Sequence, residues 1–461
     1  MRGLRSLAII TFVLLSLGAY IYFVESKRPA SYEEEAKDKV FTVESNNIRE
    51  IRIRSKSGET TSLENEGTGT PWRLTAPLEA TADSAEVTGI VTNLASLEIQ
   101  RVVEESPQDL SLFGLTNPRI NVAYKSEGDD NFTILLIGEK TPTGTDLYAK
   151  LPDENRVFLI SGFLETTFDR TPFHLRDKTI LEIDTQAIDR LEVSTADTTI
   201  EVIKTGGRWK LTKPLVARAD YGTVQGLLGR LSTAQMQSIA ANNPDDLAEY
   251  GLAESDITVT LGTGSAVAKL SFGTQTGDSE VYAKDLSRST VFTVDTSLID
   301  ALKKAPEDYR SKDIFGFRPF NVTRFEIARN SETTIYEKKK APEDNGEDNA
   351  NQEIVDTWQQ ISPTTKTIDS DKMQSALSRM ANLRAIHFTN VNVTLNLNNP
   401  SEVVAYYDKD NVDRVSFGLD EQDVYAKVAN EPGQARIDTN DYNLALKAIL
   451  ELNSIETSET P

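Results

Sequence analysis

The chain has 461 residues, with 49 Lys and Arg against 71 Asp and Glu, and a formal charge of −22. It has no cysteine and only two histidines, which excludes disulfide frameworks, iron–sulfur clusters, Cys-type zinc sites and thiol catalysis. The acid excess argues against a general nucleic-acid binder, because neutralising phosphates takes clustered Lys and Arg. At roughly 100–200 residues per domain, the length predicts about three domains.

Leu7 to Val24 is an 18-residue run without a charged side chain, after the short N-terminal segment 1–6. As a helix it covers about 27 Å, close to the roughly 30 Å of a bilayer's hydrocarbon core. Arg2, Arg5 and the free amine precede the run, whereas Glu25, Lys27 and Arg28 follow it. That balance predicts a single-pass membrane helix over 7–24, with a cytoplasmic N-terminus and an exported body. A cleaved signal peptide is the competing reading. Tyr20, Tyr22 and Phe23, however, carry the run past the small-residue stretch Ser16–Ala19 and suit the interface belt of a retained anchor. Residues 25–39 read as a polar stalk.

Three tryptophans then mark one repeated phrase: Trp72-Arg-Leu-Thr-Ala-Pro77, Trp209-Lys-Leu-Thr-Lys-Pro214 and Trp358-Gln-Gln-Ile-Ser-Pro363. Eleven residues on come Asp83, Asp220 and Asp369. Behind each aspartate, apolar residues recur at i, i+3, i+4, i+7 and i+10, the buried stripe of an amphipathic helix. They are Val87 to Leu97, Val224 to Ala234 and Met373 to Leu383. Asp83 with Glu86 reads as a capping box, Asp220 as an N-cap, and Asp369 or Asp371 takes that place in the third copy.

Downstream lie Phe113-Gly-Leu115 and Tyr250-Gly-Leu252, then Ile137-Gly138, Phe272-Gly273 and Phe417-Gly418. The phrase Tyr-Ala-Lys follows in all three copies, at Tyr148, Tyr282 and Tyr425. Copies one and two close with Leu175-Arg-Asp-Lys178 and Tyr309-Arg-Ser-Lys312, an ending the third copy lacks. Repeats are expected over 40–180, 181–315 and 316–453, with a charged loop insertion at 337–353 and a tail at 454–461. Period-2 alternation such as Ile51-Arg-Ile53-Arg54 predicts antiparallel sheets. The fold expected is α+β: a tandem array of three related units of mainly antiparallel sheet with packed amphipathic helices, plus the membrane helix.

The tryptophans suit sealing a helix onto its sheet, the ring N–H reaching a carbonyl, better than a ligand platform. The glycines read as turns or bulges. His174 and His387 stand at non-equivalent positions and read as partly buried side chains with one hydrogen bond each. Neither a phosphate-binding glycine loop nor a nucleophile elbow occurs, so no catalytic residue, metal ligand or cofactor is expected. Arg176, Lys178, Arg310 and Lys312 are candidate contacts for a charged partner, with pairing between one repeat and the next as the alternative.

In the order and spacing of these phrases, the chain resembles the bacterial family called domain of unknown function 4340. The resemblance covers residues 40–315 as two copies and 316–453 more faintly as a third. It implies an envelope protein on one N-terminal helix, accompanying ABC-transporter components, and brings no catalytic residues. The expectation is an inner-membrane-anchored periplasmic accessory or scaffold that works through protein contacts. A cell-wall glycan or peptide binder, or a carboxylate hydrolase, is the alternative.

Overall fold

Each nine-stranded sheet grows from the alternation visible in the sequence. In β1 (Ile48–Arg54), Ile48, Ile51 and Ile53 are buried while Arg52 faces solvent. The computed structural model describes residues 37–67, 69–339, 357–389 and 398–452. The membrane helix expected over 7–24, nearly all of the stalk and residues 340–353 of the insertion lie outside that range. Among the described residues, no helix is long and apolar enough to cross a membrane. Glu337–Lys339, expected at the start of the loop insertion, instead continue the strand Glu332–Lys339.

The other strands of the first sheet are β2 (Thr60–Glu64), β3 (Arg73–Ala76), β4 (Ala80–Thr81), β5 (Arg101–Glu104), β6 (Ile120–Ser126), β7 (Thr133–Lys140), β8 (Asp146–Lys150) and β9 (Val157–Ser161). They lie in the order β4-β3-β2-β1-β6-β7-β8-β9-β5, and all neighbours are antiparallel. The second sheet repeats this order from Ala217–Arg218 to Ser238–Ala241, and the third from Lys366–Ile368 to Ala385–Phe388. Three sheets of one topology with packed helices make a tandem, three-unit α+β fold.

The chain divides into two compact units, Met1–Lys178 and Thr179–Pro461, the first holding one repeat and the second two. In each repeat the amphipathic helix sits between the fourth and fifth strands of the sequence: Ser84–Ala95, Tyr221–Thr233 and Ser370–Ala381. The predicted stripes are buried throughout, except Ala234, which follows its helix and is half-buried. Where the first two repeats end in short helical turns, the third ends in one helix, Thr439–Glu451. Its Tyr442, Ala445 and Ile449 join the same core as Met373 and Met380.

Candidate functional site

Asp83, Asp220 and Asp369 all cap their helices. Asp83 Oδ1 accepts from the N–H groups of Ala85 at 3.0 Å and Glu86 at 3.2 Å. Asp220 accepts from Thr223 at 2.7 Å, and Asp369 from Lys372 at 2.9 Å. The capping box expected at Glu86 does not form. The N–H of Asp83 already donates to the Leu175 carbonyl at 2.8 Å, and Glu86 turns to Arg170 at 2.9 Å. Desolvation pushes the Asp83 carboxyl up. The N–H of Glu86 and the Lys178 ammonium together outweigh it, and the group ends below the ordinary carboxylate value.

Trp209 and Trp358 are buried as expected. Trp209 nonetheless departs from expectation, because its indole N–H finds no acceptor among the described residues. Trp72 departs further: it is half-buried, packed on one side against the core, and borders a hollow. The proline closing each phrase ends its strand and follows a cis peptide bond in all three copies.

The glycine phrases act as pairs. Gly114 and Gly251 are left-handed, at φ of 68° and 67°. A Cβ on Gly138 would stand 2.1 Å from the Phe113 carbonyl, and one on Gly273 2.0 Å from that of Tyr250. Each close approach accompanies a bulge, between Ile137 and Lys140 and between Phe272 and Gln275. The third copy lacks the Tyr-Gly-Leu phrase, and there Gly418 pairs with Tyr425 in unbroken register. Tyr148 and Tyr282 stand edge-on to Phe113 and Tyr250, at 5.0 and 5.1 Å between ring centroids. The lysines that follow, Lys150 and Lys284, cap the next turns through the carbonyls of Glu154 and Arg288. Both histidines are exposed rather than partly buried. His174 Nδ1 closes a capping box with Thr171, and His387 lies on an edge strand.

The four cations proposed as partner contacts have different fates. Lys178 pairs with Asp83 of its own repeat at 3.1 Å, Arg176 is half-buried, and Lys312 is exposed. Arg310 is only 3% exposed and reaches the third repeat, where its Nη2 meets Glu431 Oε2 at 3.2 Å. Its guanidinium lies 3.7 Å from the centre of the Phe388 ring. Burial pushes the Arg310 guanidinium below its ordinary value, with Glu431 opposing the shift. Arg218 grips the other oxygen of Glu431 at 2.7 Å and donates to the carbonyls of Asp313 and Ile314 at 3.0 Å. Pairing between repeats, the alternative reading of these residues, therefore applies to Arg310.

Beside this junction lies a hollow of about 660 Å³ bordered by residues of both repeats. Val216 and Val412 line it while 47% and 49% exposed, and Arg208, Lys210 and Arg414 stand among them. Sequence reasoning missed Arg218, Glu431 and the two valines. Their pairing spans 213 positions of chain and leaves no local pattern.

A family model described as "Domain of unknown function (DUF4340)" matches residues 72–208 and 209–406. Each match begins on a tryptophan, two strands into its sheet, and the second runs on past Trp358 into the third sheet. No curated protein matches the sequence. Among solved structures, the DNA polymerase sliding clamp from Pseudomonas aeruginosa with ligand is 9% identical, with 87% of this chain and 93% of that one covered at a TM-score of 0.15. The DNA polymerase III subunit beta from Pseudomonas aeruginosa is 10% identical, with coverages of 87% and 94% and a TM-score of 0.14. A likeness at those scores carries no argument.

Proposed function

Since the chain belongs to the DUF4340 family, whose domain has no assigned activity, we propose from its own surfaces that it is a periplasmic scaffold, anchored by residues 7–24 in a bacterial inner membrane and attached to an ABC-type transport system through protein contacts. The observation that carries this reading is the junction hollow. Exposed Val216 and Val412 offer apolar area on a surface that Arg310, Arg218 and Glu431 hold in place. Lys210 beside them, with Arg208 and Arg414 already paired to Asp408 at 3.4 Å and Glu402 at 2.7 Å, suits a partner segment that is mainly apolar with an acidic side chain. The uncharged run Leu7–Val24 supports the anchor, and Arg2 and Arg5 support its orientation.

The test is affinity purification of the full chain from membranes after mild cross-linking. Transporter membrane subunits should be recovered with the native chain and lost with Val216→Asp/Val412→Asp. Recovery of none, or recovery indifferent to the two aspartates, would sink the reading. Deleting residues 7–24 should move the chain out of the membrane fraction.

A further inference from the structure

The first repeat uses its tryptophan differently from the other two. In the second repeat the strands Thr199–Thr205 and Arg208–Lys213 join through Gly206 and Gly207 alone, Trp209 is 4% exposed, and Lys204 lies 5.8 Å from the centre of its ring. Trp358 is 3% exposed. In the first repeat the connection between β2 and β3 is longer than in the second, and its Asn65, Gly67, Gly69 and Thr70 line a space shared with the helix Ser84–Ala95 and bordered by Trp72. That space has a volume of about 500 Å³, within the range of small-molecule sites.

The walls are set in advance. Asn65 Nδ2 donates to the Thr70 carbonyl at 2.7 Å, and its Oδ1 accepts from the Gly67 N–H at 2.9 Å and the Thr70 hydroxyl at 3.1 Å. Asn65 also donates its own N–H to the Arg49 carbonyl at 2.9 Å, tying the connection to β1. The opposite wall is a row of exposed hydroxyls, Ser84, Thr88 and Thr92, one turn apart on the helix. At 1.5 Å per residue the row is about 12 Å long. The equivalent positions are Tyr221, Gln225 and Gly229 in the second repeat and Ser370, Gln374 and Ser378 in the third, so only the first repeat presents three hydroxyls.

Charge narrows the ligand. Among the described residues, Arg49 is the only ionisable side chain on the walls, and it is engaged with the carbonyls of Asn46 and Ile48 and with Glu127. An anionic ligand would lack a committed counter-charge, and a purely apolar one would strip water from the hydroxyl row without replacing its hydrogen bonds. A neutral polyhydroxylated ligand meets both demands. Its C–H face can lie on the indole, and its hydroxyls can exchange hydrogen bonds with Ser84, Thr88, Thr92 and the Asn46 amide. We propose that this hollow is a saccharide-binding site, sized for a short neutral oligosaccharide, with Trp72 as its platform and the Ser84–Thr88–Thr92 row as its polar wall.

The test is titration of the full chain, held in a sugar-free zwitterionic detergent, with chitotetraose, cellotetraose and maltotetraose, followed by calorimetry and tryptophan fluorescence. At least one should bind saturably. Trp72→Ala should weaken that binding at least tenfold and Thr88→Val several-fold, while Trp358→Phe leaves it unchanged. Thr88 is exposed, so its variant keeps the test decisive if Trp72→Ala unfolds. Saturable binding of none of the three sugars overturns the proposal, as does affinity unchanged in both Trp72→Ala and Thr88→Val. Binding of an uncharged tetrapeptide in place of any sugar overturns it too.

Discussion

Arg310 donates from Nη2 to Oε2 of Glu431 at 3.2 Å, joining residues 121 positions apart and two repeats of the fold. Both groups are shielded, with side chains 3% and 8% exposed. Removing one partner of such a pair leaves a buried charge uncompensated, at a cost of about 3–5 kcal/mol. Glu431→Ala should therefore lower the urea midpoint of the second compact unit strongly. Arg310→Met with Glu431→Leu should recover part of the loss, because the buried Arg310 charge is gone while the more exposed Arg218 still lacks its carboxylate. A double-mutant cycle by urea denaturation reads this directly, and additive losses would refute the coupling.

The glycine pairs predict opposite signs at two kinds of site. Gly138→Ala places a Cβ about on top of the Phe113 carbonyl, and Gly273→Ala does the same at Tyr250, so each should cost about 1–3 kcal/mol or more. Gly226 lies exposed within the helix Tyr221–Thr233, with nothing within 4 Å of an added Cβ. Gly226→Ala should stabilise by about 0.8–1 kcal/mol through helix propensity alone. Thermal unfolding of the three variants checks all of them.

The caps predict a graded series. Among the described residues the Asp220 carboxylate serves only its helix N-terminus, so Asp220→Asn should be nearly neutral and Asp220→Ala should cost about 1 kcal/mol. Asp83 also holds Lys178 at 3.1 Å. Asp83→Asn keeps the cap but loses the counter-charge, and should be more costly than Asp220→Asn. Equal midpoints for the two Asn variants would show that the Lys178 contact contributes nothing.

These cases also show which parts of the structure local sequence carries. The stripe from Val87 to Leu97, the alternation in β1 and the capping aspartates depend on neighbours within a turn or a strand, and all were readable. The capping box at Glu86 failed because a distant carbonyl, that of Leu175, takes the N–H of Asp83. The place of β5 at the far edge beside β9, and the grip of Arg218 and Arg310 on Glu431, depend on contacts across many tens of residues. The half-burial of Trp72 is not legible in the phrase Trp-Arg-Leu-Thr-Ala-Pro, since the matching phrase in the second repeat buries Trp209.

Tyr309 fills the position that Leu175 holds in the first repeat, and both are fully buried. Its hydroxyl finds no partner among the described residues, and burial pushes the phenol well above its ordinary value. An unsatisfied buried hydroxyl costs about 1–3 kcal/mol. Tyr309→Phe keeps the ring and removes that group, so it should raise the thermal midpoint, whereas a lower midpoint would reveal an unrecognised hydrogen bond.

Glu165 gathers three cations in the first unit. Its side chain is 9% exposed, and its oxygens meet Lys56 at 2.6 Å, Arg119 at 3.2 Å and Lys140 at 2.5 Å. Desolvation pushes the carboxyl up, but Lys140 and Lys56 outweigh it and hold the folded-state value below the ordinary one. A depressed value means that this stabilisation is complete above the unfolded-state pKa, about 4.3, and is lost as pH falls through the folded-state value. Below that, Lys56, Arg119 and Lys140 remain as three cations around a neutral acid. Glu165→Gln should lower stability at neutral pH and flatten its decline below about pH 5, so that variant and native chain converge in acid. Hydrogen exchange of the β1 and β2 amides across that range measures it, and parallel pH curves for the two chains would overturn the assignment.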